Sequence, residues 1–246
     1  MNGFVFYDGP SRLNGERVLG IATKVQNQKK GANEKTGAMV QIYILVKDQS
    51  PVEARHSGQD EAICGDCLHK QGTCYVRIEQ GPTQVWKAFH RGAYPEISIQ
   101  DGRAALAGKY CRLGTYGDPA AIPFAVWALL LKDAAGWTGY THQWKRPSAS
   151  QYRRYCMASC DTEAEYKEAK RQGWRAFYVL PKNTATKPQG AMLCPASEEA
   201  GKKLHCVDCR ACEGTGGPHK AHVYIPVHGV TFKQERFAQL IQIGAR

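Results

Sequence analysis

Four cysteines near the C-terminus have a spacing that suits a metal centre. Cys194, Cys206, Cys209 and Cys212 follow the pattern C-P-x10-C-x2-C-x2-C. Two C-x2-C steps that share their middle cysteine are uncommon around a single zinc ion, which usually takes two separated pairs. A tight loop of three cysteines with a more distant fourth suits the separate iron corners of a 4Fe-4S cluster. The group therefore predicts an iron–sulfur cluster, with structural zinc or free thiols as the alternatives.

A second group lies upstream and supplies only three cysteines, Cys64, Cys67 and Cys74, in the pattern C-x2-C-x6-C. Three protein ligands leave a metal site open. An open iron can bind a substrate or cofactor, and an open zinc position can bind water for hydrolysis. The alternative is a closed structural zinc site, in which His69 or Cys111 would be the fourth ligand.

The residues after the last cysteine are rich in glycine, in the segment Cys212-Glu-Gly-Thr-Gly-Gly217. Glycine allows the backbone to turn tightly. We expect the backbone N–H groups of this turn to donate hydrogen bonds to the cysteine sulfurs. Hydrogen bonds of this kind orient the ligands in metal sites.

The length and composition predict a single intracellular domain over residues 1–246. A chain of 246 residues suffices for one substantial hydrophobic core. The N-terminus has no basic segment followed by an apolar stretch, and no stretch approaches the roughly 18 apolar residues of a membrane span. We therefore expect a cytoplasmic protein with no membrane partner. In that compartment ten cysteines favour metal or redox chemistry over disulfides.

The charge balance favours a polyanionic partner such as nucleic acid. The chain has 33 Lys and Arg against 22 Asp and Glu, a formal net charge of +11, and excess positive charge attracts phosphates. Trp144, Tyr152 and Tyr155 interleave with basic residues and are predicted to stack on bases. The alternative is a solvated basic surface with the aromatic residues in the core. The basic clusters are residues 24–35, then Lys145, Arg146, Arg153 and Arg154, and then Lys202, Lys203 and Arg210.

The hydrophobic pattern predicts an α/β fold in three parts. Residues 1–50 contain an antiparallel strand pair, 17–25 with 39–47, and residues 48–62 are predicted to be loop. Residues 51–230 form a (βα) partial-barrel-like parallel sheet with two Cys-rich metal loops. Residues 231–246 form a C-terminal helix. The predicted strands of the middle part are 110–116, 137–142, 155–159, 175–180, 191–194 and 221–227, and the predicted helices are 82–91, 119–135, 161–172 with Asp161 as its N-cap, and 232–243.

Polar side chains follow several of these strands directly. Asp118 comes after strand 110–116, His142 ends strand 137–142, and Cys194 ends strand 191–194. In a (βα) barrel this edge of the sheet carries the active site. Asp118 and His142 are therefore the candidate catalytic residues, although Asp118-Pro119 is also a good helix start and a single His at a strand end is commonly a capping or surface residue.

Three segments resemble a known group of proteins. Cys64-x2-Cys67-x6-Cys74-Tyr75, Leu113-Gly-Thr-Tyr-Gly-Asp118-Pro119 and Gly139-Tyr-Thr-His142 resemble the uncharacterised phage- and plasmid-borne proteins of the gene-product-88 type. Those sequences are similar in turn to radical S-adenosylmethionine barrels, in which a three-cysteine loop after the first strand holds a 4Fe-4S cluster with one open iron. The usual loop of that superfamily is C-x3-C-x2-C, whereas this chain has C-x2-C-x6-C.

The resemblance implies a set of site residues and cofactors. Cys64, Cys67 and Cys74 would bind the primary cluster, and the four downstream cysteines would bind an auxiliary cluster. Gly114, Gly117 and Asp118 would lie beside S-adenosylmethionine. The host cell would be a bacterium, and its cytoplasm the location.

Two functional hypotheses follow. The first is an iron–sulfur metalloprotein with a radical-enzyme-like barrel, containing one or two 4Fe-4S clusters and acting on or binding nucleic acid. The second is a non-catalytic zinc protein that binds nucleic acid or a host protein.

Overall fold

The structure of the protein, a computed structural model, describes residues 1–29, 35–182, 184, 187–201, 204–227 and 230–244. Within these residues, ten β-strands form two five-stranded sheets. The side chains of residues 71 and 242–244 lie outside the description. The protein is therefore a mixed α/β structure, as the sequence predicts.

The first sheet has the strand order β1-β2-β3-β4-β5. β1 pairs with β2 and β2 with β3 in antiparallel fashion, whereas β3, β4 and β5 are parallel. The predicted N-terminal antiparallel pair is confirmed as β2 and β3, but the sequence-based prediction omits β1. The five strands are β1 (Gly3–Pro10), β2 (Arg17–Thr23), β3 (Val40–Val46), β4 (Tyr110–Tyr116) and β5 (Gly136–Thr138).

The second sheet is entirely parallel, in the order β6-β7-β8-β10-β9. A parallel sheet is thus present as predicted, but β4 and β5, which were predicted to belong to it, lie in the mixed first sheet. Its strands are β6 (Tyr140–Thr141), β7 (Met157–Cys160), β8 (Ala176–Leu180), β9 (Ala191–Leu193) and β10 (His222–Pro226).

The two sheets meet at Gly139, which interrupts the predicted strand 137–142. β5 ends before it and β6 begins after it. A Cβ atom on Gly139 would lie 2.9 Å from the carbonyl oxygen of Tyr155, so a larger residue would collide with the backbone there. Among the described strands, β1 and β5 are the edge strands of the first sheet and β6 and β9 those of the second, and the barrel is not closed.

Eight α-helices are described, and short 3-10 helices supplement them. The α-helices are α1 (Pro51–Ser57), α2 (Glu61–Cys64), α3 (Gly81–His90), α4 (Ile99–Leu106), α5 (Phe124–Leu130), α6 (Glu163–Arg171), α7 (Cys206–Cys209) and α8 (Thr231–Gly244). The 3-10 helices are Leu68–Gln71, Pro119–Ala121, Gln143–Lys145, Pro147–Arg154 and Glu198–Ala200.

Two helix predictions were wrong for identifiable reasons. Residues 48–62 are not loop, because Ser50 and Glu53 form a capping box that starts α1. In it the Glu53 N–H donates to Ser50 Oγ and the Ser50 N–H donates to the Glu53 carboxylate. The predicted helix 119–135 is divided, because Pro123 separates the 3-10 turn Pro119–Ala121 from α5.

The main hydrophobic core joins both sheets and includes Trp144, Tyr152 and Tyr155. Their relative exposures are only 2%, 3% and 5%. These rings are therefore not available to stack on nucleic-acid bases, and the predicted stacking role is wrong for them because core packing takes their faces. Within the part of the chain that the structure describes, none of the helices is long and apolar enough to span a bilayer.

Candidate metal centre

The upstream cysteine loop starts at the end of α2, where Cys64 is the last helical residue. Gly65 then adopts φ 50° and ψ −128°, a backbone conformation that favours glycine. The side chain of Gln143 lies against Gly65, and Gln143 Nε2 donates a hydrogen bond to the Cys64 carbonyl over 3.0 Å. Gln143 is the second residue after β6. The loop is therefore anchored to the carboxyl end of the parallel sheet.

The three upstream thiols lie close enough to influence one another's ionisation. Burial raises the pKa of Cys64 well above its ordinary value, and Cys67 and Cys74 raise it further. Burial likewise raises the pKa of Cys74. α8 covers the loop, because Lys233 Nζ donates to the Cys74 carbonyl over 2.7 Å. The fold thus gathers the three predicted ligands under the C-terminal helix.

The two residues predicted as alternative fourth ligands, His69 and Cys111, have other neighbours than the three thiols. His69 has its Nδ1 atom 2.9 Å from Thr73 Oγ1 and its Nε2 atom 3.0 Å from Asp161 Oδ1. Cys111 is buried in β4, where burial raises its pKa to about 12 and Lys109 is the charged neighbour that lowers it.

The candidate catalytic residue Asp118 is almost fully buried, with 7% exposure. Its Oδ1 atom accepts a hydrogen bond from the Ala120 N–H over 2.9 Å, and its Oδ2 atom accepts one from the His142 N–H over 2.8 Å. Burial raises the Asp118 pKa, and these donors partly offset that effect. The carboxyl group therefore ties the ends of β4 and β6 together.

The glycines before Asp118 are fixed by packing. Gly114 has φ +64° and Gly117 has φ +84°. A Cβ on Gly114 would lie 2.4 Å from the Gly117 carbonyl oxygen, and a Cβ on Gly117 would lie 2.7 Å from Ile44. Since Asp118 is also committed to backbone donors, this turn offers few free groups to S-adenosylmethionine. Binding of that cofactor stays a prediction.

His142, the second catalytic candidate, faces the upstream loop. Its Nε2 atom lies 3.6 Å from Asp161 Oδ2 and is buried without a hydrogen-bond partner. Burial lowers the pKa of His142, but Cys67 and Asp161 outweigh that effect and raise it well above the ordinary value. The imidazole thus lies between a thiol and a carboxylate.

The downstream cysteines come from three segments. Cys194 follows β9 and donates its N–H to the Tyr224 carbonyl over 2.9 Å, and Cys206 donates its N–H to the Lys35 carbonyl over 2.9 Å. Cys206 and Cys209 are the two ends of the single-turn helix α7. Burial raises the pKa of Cys212, and Cys194, Cys206 and Cys209 raise it further. All four predicted ligands therefore act on one another electrostatically.

Arg175, at the start of β8, holds the downstream loop in place. Arg175 is only 4% exposed. Its guanidinium donates hydrogen bonds to the carbonyls of Ala211 at 2.6 Å, Gly214 at 2.9 Å and Ala221 at 3.2 Å. A buried guanidinium with several carbonyl acceptors fixes the backbone of the loop on both sides of Cys212.

The glycine-rich turn after Cys212 differs from the expectation. The N–H groups of Thr215 and Gly216 donate to the carbonyls of Arg153 and Arg154 over 2.7 and 2.9 Å, not to sulfur. Gly214 has φ +64°, and a Cβ there would lie 2.6 Å from the Arg153 carbonyl oxygen. The glycines therefore permit a close approach of two backbone segments.

In neither group do three cysteine Sγ atoms all lie within 4.8 Å of one another, which is wider than the spacing around a single metal ion. Among the described residues, the His, Cys, Asp and Glu side chains whose ligand atoms all lie within 4.8 Å of one another are His69, His142 and Asp161, and no cysteine belongs to that set. Four thiolates around one zinc ion lie about 3.8 Å apart, given Zn–S bonds of about 2.3 Å. The ten cysteines are all free thiols.

Much of the predicted basic surface is engaged in local interactions. Lys145 pairs with Glu165, Arg146 pairs with Asp66 at 3.0 Å, and the Arg154 guanidinium lies 5.7 Å from the centre of the Tyr155 ring. Residues 30–34 of the first cluster, and Lys202 and Lys203 of the third, lie outside the described residues.

Sequence reasoning missed Asp161, the half-buried Arg112 and the buried Arg175 as parts of the site. Asp161 was predicted to be a helix cap, but Thr162 caps α6 by accepting from the Glu165 N–H over 3.1 Å. The sequence did contain a signal: Asp161 and Thr162 are both good N-cap residues, and α6 needs only one, which leaves the other free for another role. No family model, curated protein or solved structure matches the chain.

Proposed function

We propose that the protein is an iron–sulfur metalloprotein with two cluster-binding loops. Cys64, Cys67 and Cys74 would bind one 4Fe-4S cluster with an open iron, and the four downstream cysteines would bind a second. The observation that carries this proposal is the gathering of each group of thiols at a spacing wider than one zinc ion requires. In a cubane each thiolate binds a different iron, so the sulfurs stand further apart than around a single ion.

The surroundings of the thiols also fit a cluster. Burial raises the pKa values of Cys64, Cys194 and Cys212, so these groups are neutral thiols at neutral pH when no metal is bound. A buried thiol gives up its proton readily when it binds a metal cation. Basic groups near both loops, Arg112 and Lys233 among them, would balance the negative charge of thiolate-bound clusters.

A bound cluster would supply one-electron transfer, and an iron with an open position would supply a binding site for a substrate heteroatom. The chain's own contribution is to hold the upstream ligands at the carboxyl edge of the parallel sheet, beside Gln143, and the downstream loop against its amino edge, through Gly139 before β6 and Arg175 before β8. The carboxyl edge of parallel strands is where ligands bind in open α/β sheets. The upstream centre, with its open iron, is therefore the one that a substrate would approach from outside the sheet.

Nucleic acid remains the proposed partner on the basis of the net charge of +11. Since Trp144, Tyr152 and Tyr155 are buried, the contacts would be made by Lys and Arg to phosphates. Binding of that kind is not base-specific and weakens steeply with salt. A polyanion titration at two salt concentrations tests this part of the proposal, and binding that does not change with salt would contradict it.

The main test is anaerobic purification of three single variants beside the unaltered chain, with iron, sulfide and zinc measured per chain. Cys74→Ser removes one upstream ligand, Cys212→Ser removes one downstream ligand, and Cys160→Ser is the control because Cys160 is buried in β7 outside both groups. We expect the unaltered chain to be brown, with equal amounts of iron and sulfide. Each ligand variant should lose about half of that iron and sulfide, and the control should lose none.

Colourless protein that binds zinc and takes up no iron after anaerobic reconstitution would contradict the iron–sulfur proposal. That result would favour the non-catalytic zinc protein, with nucleic acid or a host protein as its partner. Loss of iron in the Cys160→Ser control would show that the thiol substitutions act through folding, and near-ultraviolet circular dichroism of each variant separates the two effects.

A further inference from the structure

Three side chains from separate segments converge beside the upstream cysteine loop. His69 lies within the loop between Cys67 and Cys74, His142 follows β6, and Asp161 follows β7. The parallel pairing of β6 with β7 places the last two at the same edge of the sheet. Three residues that are distant in sequence thus offer two imidazole nitrogens and one carboxylate to a common point.

The distances suit a metal ion. His69 Nε2 lies 3.0 Å from Asp161 Oδ1, and His142 Nε2 lies 3.6 Å from Asp161 Oδ2. One ligand atom from each residue lies within 4.8 Å of the other two. Ligands about 2.1 Å from an ion at tetrahedral angles stand roughly 3.4 Å apart. The two nitrogen–oxygen separations, 3.0 Å to Oδ1 and 3.6 Å to Oδ2 of Asp161, lie on either side of that value.

The ring nitrogen Nε2 of His142 is buried and its contact with the Asp161 carboxylate is long. The two atoms lie 3.6 Å apart, and among the described residues no hydrogen bond of ordinary length reaches Nε2. Buried polar atoms usually have a closer partner, which is often an ion or a water molecule. The atom faces the Asp161 carboxylate, which is itself only 4% exposed.

The other histidine is held in the orientation of a ligand. When Nε2 of His69 faces a metal ion, Nδ1 carries the ring proton and donates to Thr73 Oγ1 over 2.9 Å. Such a second bond fixes the ring of metal-binding histidines. Phe237 of α8 stacks on the His69 ring with centroids 5.3 Å apart and planes at 10°. Phe237 is itself buried, with 2% exposure, so this stacking restricts rotation of the His69 ring.

We propose that His69, His142 and Asp161 bind one divalent transition-metal ion, separate from the iron–sulfur clusters. Two imidazoles and one carboxylate are typical ligands of Zn²⁺, Fe²⁺ and Mn²⁺. Three protein ligands leave coordination positions open to water or to a substrate oxygen. The ion would therefore act as a Lewis acid at the edge of the sheet where the proposed substrate site lies. The site does not depend on the cysteines as ligands.

The probe is Mn²⁺, because soft thiolates disfavour it and nitrogen and oxygen ligands accept it. The full chain, as purified, is titrated with Mn²⁺, and the electron paramagnetic resonance signal of the free ion reports what remains unbound. We expect one Mn²⁺ to bind per chain, and Zn²⁺ to displace it because Zn²⁺ binds such ligands more tightly.

Two variants and one control locate the ion. Asp161→Asn removes the charged ligand with little change in shape, and Thr73→Val removes only the acceptor for His69. We expect the Mn²⁺ dissociation constant to rise by more than roughly tenfold in Asp161→Asn and by roughly tenfold in Thr73→Val. Asp133→Asn is the matched control, because Asp133 pairs with Arg103 at the surface, and it should leave binding unchanged.

Absence of Mn²⁺ binding by the folded, unaltered chain would overturn the proposal, and His69, Asp161 and His142 would then be an ion-pair network. Binding that is unaffected by Asp161→Asn would overturn it equally. The outcome is independent of the clusters: Cys74→Ser should lose iron and keep Mn²⁺ binding, whereas failure of the iron–sulfur proposal alone leaves the Mn²⁺ titration unchanged. Near-ultraviolet circular dichroism confirms that each variant is folded.

Discussion

The guanidinium of Arg112 donates a hydrogen bond to the hydroxyl of Tyr75 over 2.8 Å. Tyr75 follows Cys74 of the upstream group. On its other side Arg112 lies 5.5 Å from the centre of the Tyr140 ring, and burial together with the neighbouring Cys212 thiol raises the pKa of Tyr140. Arg112 thus lies between the two proposed cluster sites.

The first prediction concerns this cation. Arg112→Gln should lower the reduction potential of the bound clusters, because a nearby positive charge stabilises the added electron. Arg112 is close enough to act electrostatically on Cys206, so we expect a shift on the order of tens of millivolts, where about 59 mV for one electron is a tenfold change in the equilibrium constant. Anaerobic potentiometry checks the shift. The control is Arg103→Gln, which removes the same charge from an exposed pair with Asp133, and an equal shift in both variants would contradict the assigned position of Arg112.

The second prediction concerns Gly65 in the upstream loop. A Cβ at Gly65 would lie 2.6 Å from Gln143 Oε1 and 2.7 Å from its Nε2, the atom that donates to the Cys64 carbonyl. Gly65→Ala should therefore break that bond and lower the amount of iron held by the upstream group. Iron per chain and the urea midpoint measure the two effects.

Gly58→Ala is the matched control for this substitution. Gly58 also has a positive φ, +81°, but nothing lies within 4 Å of a Cβ built there. Both variants place a side chain at a positive φ; Gly58, at ψ 1°, is in the left-handed helical region, and Gly65, at ψ −128°, is in a region that favours glycine more strongly. Only Gly65→Ala adds the collision. If both variants keep their iron, Gln143 does not position the loop.

Much of the strand pattern was predictable from the sequence, whereas the neighbours of the candidate ligands were not. Period-two and buried apolar runs identify β2, β3, β4 and β8, because strand burial is recorded in the local pattern. Asp161 shows the limit. Asp161 and Thr162 are both good N-cap residues, and local sequence cannot choose between them. The choice is made by His69 and His142, which arrive from distant segments.

The third prediction concerns Arg175, which supports the downstream loop. Arg175→Met fills similar space but leaves the carbonyls of Ala211, Gly214 and Ala221 without this donor. Each buried acceptor left unsatisfied costs about 1–3 kcal/mol, so we expect at least about 3 kcal/mol of lost stability and loss of downstream iron. Urea unfolding and iron content check this. Arg171→Met, in an exposed pair with Glu168, should change stability by less than about 1 kcal/mol; a similar loss in both variants would contradict the supporting role.

The partners of two arginines were not predictable for a different reason. Arg112 and Arg175 lie in or beside strands, where an isolated basic residue has the pattern of a solvent-facing position. Arg112 is half-buried and Arg175 is buried, and the tertiary fold supplies their acceptors, namely the Tyr75 hydroxyl for Arg112 and loop carbonyls for Arg175. Charge near a strand predicts exposure unless partners are known, and the sequence does not name them.

The fourth prediction is a pH dependence of stability that arises from Asp8 of β1. Asp8 pairs with Arg17 of β2 at 2.6 Å and with Lys47, which follows β3, so one carboxylate ties three strands together. Partial burial raises the Asp8 pKa, but the hydrogen bonds from Arg17 and Lys47 outweigh it and lower the pKa below its ordinary value. The contribution to stability is therefore present above the unfolded pKa, about 3.9, and is lost as the pH falls through the lower folded value.

Asp8→Asn should reduce the free energy of unfolding by about 1 kcal/mol at pH 7, a modest amount because Arg17 is exposed and solvent screens the pair. The difference from the unaltered chain should shrink as the pH falls below about 4, because the natural carboxyl group then becomes protonated as well. Urea unfolding across this pH range measures it, with Asp101→Asn as a control at an exposed helix start. A difference that stays constant with pH would mean that Asp8 acts through its shape and hydrogen bonds, and not through its charge.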